Sequence, residues 1–159
     1  MYKLIECNCD IEQLNIFSQK FAQQIVVGDI IFLKGELGVG KTTFARFFIN
    51  SLFNYFSIEK PQSIKSPSFP IMINYPLLNY EIFHYDLFRL KSANELSEIG
   101  IFENLQKNIT IVEWPELIMN NFNLKDYYLL EFELTDSSKR CLRMFHLKKD
   151  KLNEFKFST

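Results

Sequence analysis

Apolar residues in the first third of the chain follow a helix, strand, helix pattern. Between Ile11 and Ile25 they recur at the spacing of one helix face, and Asp10 precedes them as a candidate N-cap. Asp29 to Leu33 is largely apolar, which is typical of a buried strand, and helical spacing returns over Thr42 to Phe53. The pattern predicts a packing helix followed by a strand, a loop and a second helix.

Strand-like segments dominate the rest of the chain. Ile71 to Tyr75 and Glu81 to Asp86 are separated by Pro76 to Asn79, which predicts an antiparallel hairpin. Before it, residues 60–70 contain three prolines and several hydroxyl side chains, a composition that favours a loop. Three further segments are predicted strands: Ile109 to Val112, Tyr127 to Leu134 and Cys141 to Leu147, the last two joined by residues 136–138.

A short helix is predicted between the hairpin and the later strands. Ser92 is a candidate N-cap, Glu95 completes a capping box, and Gly100 follows Ile99 as a candidate helix end. Together the elements predict an α/β fold with a mixed parallel and antiparallel sheet flanked by helices. The hairpin distinguishes it from a purely parallel sheet.

Composition favours a single globular domain over residues 1–159. The 159 residues carry a formal net charge of −1 and are 47% hydrophobic, enough for a substantial core. No apolar run approaches the length of a membrane span, and Met1 to Glu6 lacks the apolar stretch of a secretory signal. The 3 cysteines have no zinc-site spacing, so reduced thiols are expected. A cytoplasmic protein without membrane attachment is predicted.

The nearly balanced charge argues against a protein that holds nucleic acid by bulk electrostatics. Basic residues nevertheless cluster late in the chain: Lys139, Arg140, Arg143, Lys148, Lys149 and Lys151. Such clusters on terminal strands are usually solvated faces, which is the interpretation favoured here. The alternative is that this cluster contacts a polyanion or an acidic partner.

A P-loop pattern, G-x-x-x-x-G-K-T, runs from Gly35 to Thr42 between the predicted strand and helix, the context that this motif requires. Its glycines let the backbone approach phosphate closely. Lys41 would contact the β- and γ-phosphates, and Thr42 would offer its hydroxyl to Mg²⁺. Nucleotide binding is therefore predicted for Glu36, Leu37, Gly38, Val39, Gly40, Lys41, Thr42 and Thr43.

Acids at the ends of apolar strands are candidates for holding Mg²⁺ and positioning water. Glu113 directly follows such a strand, as in a Walker B element. Strand alternation places His84 and Asp86 on one face, which makes Asp86 a second Mg²⁺ candidate. Arg89 would reach phosphate or pair with Asp86, and His84 is either structural or part of the site.

Four motifs, in this order in a short chain, resemble the TsaE family. They are the P-loop, Ser66 to Phe69, the segment His84 to Arg89, and Glu113 to Glu116. The family comprises bacterial ATPases required for the threonylcarbamoyladenosine modification of tRNA. The resemblance implies a P-loop NTPase fold, binding of Mg²⁺ and ATP, and hydrolysis that is weak in the isolated protein.

The implied partners are TsaD and TsaB, which transfer the threonylcarbamoyl group to the adenosine adjacent to the anticodon. The family member supports that complex by hydrolysing ATP. Its contact with tRNA is indirect and goes through the complex. By the resemblance, the catalytic residues are Lys41, Asp86 and Glu113. The implied Mg²⁺ site consists of Thr42 and the two acids.

Further candidates lie in two of the resembling motifs. Ser66 and Ser68 belong to a switch-like loop near the γ-phosphate, and Trp114 either adjoins the site or packs the strand end. The family usually has threonine where Ser68 stands and tyrosine where Phe88 stands. Serine keeps a hydroxyl group at the first position. Phe88 has no phenol hydroxyl, so it cannot perform a role that depends on that group.

Three other functions would use a P-loop. A small-molecule kinase would normally carry an arginine-bearing lid, and no arginine cluster occurs in the middle of the chain. A GTPase is disfavoured, because the Asn-Lys-x-Asp and D-x-x-G motifs are missing. A nucleotide-gated binding module, in which ATP orders the serine loop without productive turnover, remains the main alternative.

Overall fold

The computed structural model describes residues 1–105, 107–136 and 138–151. Helices and strands alternate over much of this range. In chain order the elements are β1 (Tyr2–Cys9), α1 (Ile11–Ala22), β2 (Ile30–Lys34), α2 (Lys41–Tyr55), β3 (Met72–Leu77), β4 (Tyr80–Asp86), α3 (Ala93–Glu98), α4 (Ile101–Asn104), β5 (Ile109–Glu113), α5 (Glu116–Asn121), β6 (Tyr128–Leu134) and β7 (Arg140–His146).

The seven strands of the described residues form one sheet in the order β1-β7-β6-β2-β5-β4-β3. Strand β2 runs parallel to both β5 and β6, and β5 runs parallel to β4. The pairs β1 with β7, β6 with β7 and β3 with β4 are antiparallel. The predicted mixed sheet of an α/β fold is confirmed.

Helices cover both faces of the sheet, and the side chains of β2 alternate between two cores. Ile31 and Leu33 belong to the core under α1 and α2, together with the fully buried Phe44 of α2. Phe32 belongs to the opposite core, to which α3, α4 and α5 contribute. Burial of one such side chain stabilises a fold by roughly 1.5–3 kcal/mol, so the strand and α2 are firmly held on either side of their connecting loop.

The N-terminal strand β1 is missing from the sequence prediction. It lies at the sheet edge, and its register with β7 places Cys7 opposite Leu142 and Cys9 opposite Arg140. A strand of this kind depends on its cross-strand neighbours, which lie far away in the sequence, so the local pattern does not reveal it.

Helix α1 begins as predicted but is shorter than predicted. Asp10 is its N-cap and forms a capping box with Gln13. The helix ends at Ala22 rather than near Ile25. A turn follows, in which the Asp29 carboxylate accepts a hydrogen bond from the Val26 amide (2.8 Å). The turn redirects the chain into β2. Because buried apolar residues such as Ile25 continue beyond the end of the helix, the apolar pattern alone overestimates its length.

The predicted hairpin is present with a tighter connection. Leu77 of β3 pairs with Tyr80 of β4, which leaves Leu78 and Asn79 as the turn, and Leu78 adopts a positive φ of 55°. The prediction that Pro76 begins the loop was wrong. Strand β3 lies at the sheet edge, where a residue without an amide hydrogen is tolerated.

The predicted capping box of α3 is confirmed between Ser92 and Glu95, and Gly100 follows the helix with φ 65°. The short helices α4 and α5 were not predicted. Of the predicted connection between the last two strands, Ser137 lies outside the described residues. Among the described residues, no helix has the length and apolar character needed to cross a membrane.

Candidate functional site

The loop between β2 and α2 has a backbone shaped by its glycines. Gly35, Gly38 and Gly40 all have positive φ, at 145°, 79° and 114°. A Cβ atom on Gly35 would lie 2.4 Å from the carbonyl oxygen of Phe132, so a larger residue would force this loop away from β6. Gly40 is the N-cap of α2 and supplies no side-chain cap. The amides of the first helical turn are therefore open to an anion.

Lys41 starts α2 and turns its side chain back over the loop. Its Nζ donates to the carbonyl oxygens of Gly35 (2.6 Å) and Glu36 (2.8 Å), and it lies 3.9 Å from the ring centroid of Trp114. Burial lowers the pKa of the ammonium from its usual value, and the carboxylate charge of Glu113 opposes this shift. The arrangement keeps a cation next to the anion-binding loop.

Glu113, the last residue of β5, joins the loop to the sheet. Its Oε2 accepts a hydrogen bond from Thr42 Oγ1 (2.8 Å), and its Oε1 lies 2.9 Å from His84 Nε2. Only 2% of Glu113 is exposed, and His84 is fully buried. Both carboxylate oxygens are therefore engaged by neighbouring side chains.

Asp86, the last residue of β4, is the register partner of Glu113 in the parallel ladder. Its Oδ2 accepts from Ser68 Oγ (2.8 Å), and its Oδ1 accepts from the Phe88 amide (3.1 Å). Ser68 Oγ in turn lies 2.7 Å from Ser66 Oγ. The serine loop is thus attached directly to the second acid.

The chemistry of these donors suits a hard cation. Thr42, Asp86 and Glu113 all offer oxygen, which Mg²⁺ prefers, and Mg²⁺ commonly uses one or two carboxylates together with phosphate oxygens. The described residues contain no group of three or more His, Cys, Asp or Glu side chains able to hold a metal ion by themselves. A cation here would therefore be completed by a bound phosphate.

A cavity of about 140 Å³ brings most of the predicted residues together. Its lining is mainly polar and comes from the P-loop, the serine loop and the two strand ends. The lining residues are Leu37, Gly38, Gly40, Lys41, Thr42, Thr43, Ser68, Asp86, Glu113 and Trp114. The motifs identified separately in the sequence therefore meet at one place.

Five predicted residues lie outside this lining. Glu36 and Val39 line a separate cavity beside β6, and Val39 is almost fully buried. His84 lies beneath Glu113, and Ser66 lies behind Ser68. Arg89 is at the outer edge, where its Nη1 donates to the carbonyl of Phe69 (3.4 Å) and its guanidinium lies 5.6 Å from the Phe69 ring centroid.

Trp114 follows Glu113 with a positive φ of 56°, a strained conformation for a bulky residue. This conformation accompanies the placement of its ring over Lys41 and against Phe88, whose ring centroid is 4.8 Å away. Phe88 therefore contributes an aromatic contact to Trp114 although it carries no hydroxyl.

Arg140 is the residue that the sequence interpretation missed. As the first residue of β7 it is half-buried, and its Nε would lie 3.5 Å from a Cβ atom on Gly40. Its Nε and Nη1 atoms are buried and have no hydrogen-bond partner among the described residues. The prediction of a solvated basic face was wrong at Arg140, because β7 begins beside the P-loop.

Two other residues of the basic cluster form ion pairs. Arg143 pairs with Glu6 and Glu133, each at 2.9 Å, and Lys148 pairs with Asp126. Arg140 differs from them in that its guanidinium approaches Gly40 and its Nε and Nη1 atoms have no hydrogen-bond partner among the described residues.

Comparisons with known proteins agree with this geometry. The family described as "Threonylcarbamoyl adenosine biosynthesis protein TsaE" matches residues 9–142. The chain is 40% identical to the tRNA threonylcarbamoyladenosine biosynthesis protein TsaE of Rickettsia bellii over 107 residues, which are 67% of this chain and 71% of that protein. It is 27% identical to the protein of the same name from Borreliella burgdorferi over 139 residues, 86% of this chain and 95% of that protein.

A solved structure supports the fold independently. The crystal structure of Bacillus subtilis YdiB aligns with a TM-score of 0.72 at 20% identity, covering 94% of this chain and 91% of that one. At this identity the likeness concerns the fold. The family match extends over most of the chain and includes the P-loop, the serine loop and both acids. The chain therefore belongs to the TsaE family of threonylcarbamoyl adenosine biosynthesis proteins.

Proposed function

We propose that this protein is a Mg²⁺-dependent ATPase that acts in tRNA threonylcarbamoyladenosine biosynthesis. The observation that supports it most strongly is the convergence of Lys41, Thr42 and two strand-end carboxylates at the N-terminus of α2. Membership of the TsaE family supports the pathway. The residues are those that a P-loop site requires, in the arrangement that it requires.

Nucleotide binding is assigned to the loop and the first turn of α2. The phosphates would take the place of the Gly35 and Glu36 carbonyls as partners of Lys41. The open amides of the first helical turn would donate to the same oxygens. Because Lys41 is already desolvated, its charge acts on the phosphates with little screening.

Hydrolysis is assigned to the two acids and the serine loop. Mg²⁺, when bound, neutralises charge on the phosphates, and Thr42, Asp86 and Glu113 are the residues that would hold it. The carboxylates orient a water molecule that attacks the γ-phosphate in line; the bond from the γ-phosphorus to the bridging oxygen breaks, and the products are ADP and inorganic phosphate, which takes up the protons of the water. Lys41 and the loop amides stabilise the charge that develops. The bond from Ser68 to Asp86 makes the serine loop part of the same assembly.

Partner dependence is supported by an apolar rim around the cavity, formed by Leu37, Phe69 and Phe88. These side chains are 79%, 86% and 61% exposed. Water is not excluded from a site with such an open rim, and a docked protein would cover it. We assign this role to the TsaD and TsaB proteins in the cytoplasm, with tRNA met through their complex.

The test is ATP hydrolysis by the purified protein, alone and with TsaB and TsaD from the same source. Stimulation by the complex is expected, and Lys41→Ala should reduce turnover by about a hundredfold or more. Lys34→Ala is the matched control, since Lys34 is a partly exposed lysine at the end of β2 that pairs with Glu131 (3.5 Å) and does not line the candidate site. Hydrolysis that persists in Lys41→Ala would contradict the proposal.

The same experiment separates the alternatives. ATP binding without hydrolysis, combined with ATP-dependent docking, would favour a nucleotide-gated module, for which the exposed rim is also suited. Transfer of phosphate to an added metabolite would favour a kinase. Glu113→Ala adds a second criterion, because an ATPase should lose turnover while retaining nucleotide.

A further inference from the structure

His84 is buried directly beneath the candidate metal site. It lies on β4 with its register partners Ile73 and Ile111 on either side, and none of its surface is exposed. Its Nε2 atom is 2.9 Å from Oε1 of Glu113. The other carboxylate oxygen, Oε2, accepts from Thr42 Oγ1 at 2.8 Å. The three side chains form a continuous line from the interior of the sheet to the P-loop helix.

The second ring nitrogen of His84 fixes the direction of this contact. Nδ1 is buried and has no hydrogen-bond partner among the described residues. A hydrogen on Nδ1 would be a buried donor without an acceptor, whereas a bare Nδ1 leaves only an unused lone pair. The hydrogen is therefore on Nε2, and it is donated to the Glu113 carboxylate.

We propose that His84 is a positioning residue: its Nε2–H group holds Glu113 Oε1, so that Oε2 faces the cavity beside the Thr42 hydroxyl. The role rests on the proposed function, and within it His84 never touches nucleotide. Without the donor, the buried Oε1 atom is left unpaired, and the carboxylate rotates to recover a partner. The oxygens offered to a cation then no longer have a fixed direction.

Two substitutions distinguish this role from simple core packing. A glutamine amide nitrogen can take the place of Nε2, whereas the shorter asparagine places its nitrogen near the position of Nδ1. His84→Gln should therefore keep the bond to Glu113, and His84→Asn should lose it. Both changes remove the ring, so a pure packing role predicts similar defects for the two variants.

The readout is the Mg²⁺ concentration that half-saturates ATP binding, measured beside kcat and nucleotide affinity without Mg²⁺. For His84→Asn, the Mg²⁺ requirement should rise and kcat should fall by about tenfold or more, with Mg²⁺-free affinity unchanged. His84→Gln should stay within about twofold of the unmodified protein, as expected for a retained contact. Equal defects in the two variants would overturn the proposal.

His146 provides the matched control. It is 1% exposed on β7, and its Nε2 lies 3.0 Å from Asp126 Oδ1, so it repeats the histidine–carboxylate contact away from the cavity. His146→Gln and His146→Asn should leave the Mg²⁺ requirement unchanged. A change as large as that in His84→Asn would show that loss of any buried histidine disturbs the site, and it would overturn the specific role of His84.

Nitrogen-15 NMR of the unmodified protein gives a test that needs no variant to fold. The sequence has 2 histidines, so a His146→Gln spectrum assigns the signals. His84 should show a protonated Nε2 and an unprotonated Nδ1, both before and after addition of Mg²⁺ and ATP. The reverse tautomer would overturn the proposal. Failure of the protein to bind ATP at all would instead overturn the proposed function.

Discussion

The ammonium of Lys41 lies 3.9 Å from the ring centroid of Trp114, with two backbone carbonyls as its hydrogen-bond acceptors. A cation over an indole face is attracted by the negative face of the ring. The loop thus holds the Lys41 ammonium against the partial negative charge of two carbonyl oxygens and an aromatic face. Phosphate must compete with these contacts, so binding should disturb Trp114.

Nucleotide binding should change the fluorescence of Trp114. The sequence has 1 tryptophan, so the emission reports on this position alone. Removal of the ammonium from the ring face should shift the intensity or wavelength as ATP is added. Lys41→Ala lacks the ammonium, so it should already show the shifted emission before ATP is added and give no further response to ATP. An ATP-saturated protein with unaltered emission would contradict the described contact.

Ser68 should be replaceable by threonine but not by alanine. Its hydroxyl donates to Asp86 Oδ2, and threonine keeps that donor. Ser68→Ala should lower kcat by about tenfold, the effect of losing a partner that orients a ligand, while Ser68→Thr stays close to the unmodified protein. Ser63→Ala, an exposed position in the same loop, is the control. The measurement is the steady-state rate of ATP hydrolysis. Equal rates for all three variants would show that the hydrogen bond from Ser68 to Asp86 has no role in hydrolysis.

Arg140 should strengthen nucleotide binding without supporting the fold. Its buried Nε and Nη1 atoms are unpaired among the described residues and lie beside Gly40. Arg140→Gln should weaken ATP affinity by about tenfold, the order of one charge-assisted hydrogen bond. Thermal unfolding without nucleotide should show no loss of stability, because no internal partner is abandoned.

The control for Arg140 lies on the same strand. Arg143 pairs with Glu6 and Glu133, so Arg143→Gln should leave ATP affinity unchanged. Calorimetric titration measures both variants. Equal affinities for the two variants would show that the guanidinium beside Gly40 does not meet nucleotide.

His146 should make the fold sensitive to acid. Burial lowers the pKa of its imidazole below 6.5, and the charge of Asp126 only partly opposes this. Below pH about 6.5 the unfolded chain therefore binds a proton that the folded protein does not, so the free energy of unfolding falls as pH falls through that range. Above it, this contribution is constant.

Denaturant unfolding at a series of pH values tests the effect of His146. His146→Gln should flatten the dependence between the lowered pKa and pH about 6.5, the value of an unperturbed histidine. A slope that is identical in the variant would assign acid sensitivity to other groups. A slope of opposite sign in the unmodified protein would contradict the lowered pKa.

Contiguous motifs were the parts of this protein most accessible to prediction. The loop from Gly35 to Thr42 follows its strand and opens its helix as expected, and alternation placed His84 and Asp86 on one face of a strand, as found in β4. Both features depend on residues close together in the chain. The same is true of the cap at Asp10.

Features that depend on distant strands were missed. Strand β1 and the approach of Arg140 to Gly40 both follow from the pairing of β7 with β1 and β6. That register is selected by the sum of cross-strand contacts, and the local pattern around Arg140 resembles any exposed strand end. The bond between Thr42 and Glu113 likewise joins residues far apart in sequence.

Asp86 and Glu113 are opposite each other in a parallel ladder, so their spacing is a property of the sheet. A shift of one residue would turn either side chain to the other face, and no intermediate spacing is available. The separation of the two acids is therefore constant, and only the serine loop and the apolar rim can move relative to them. A partner that moves the loop or the rim would therefore change the rate of hydrolysis. The affinity for Mg²⁺ would stay the same, because it depends on the spacing of the acids in the sheet.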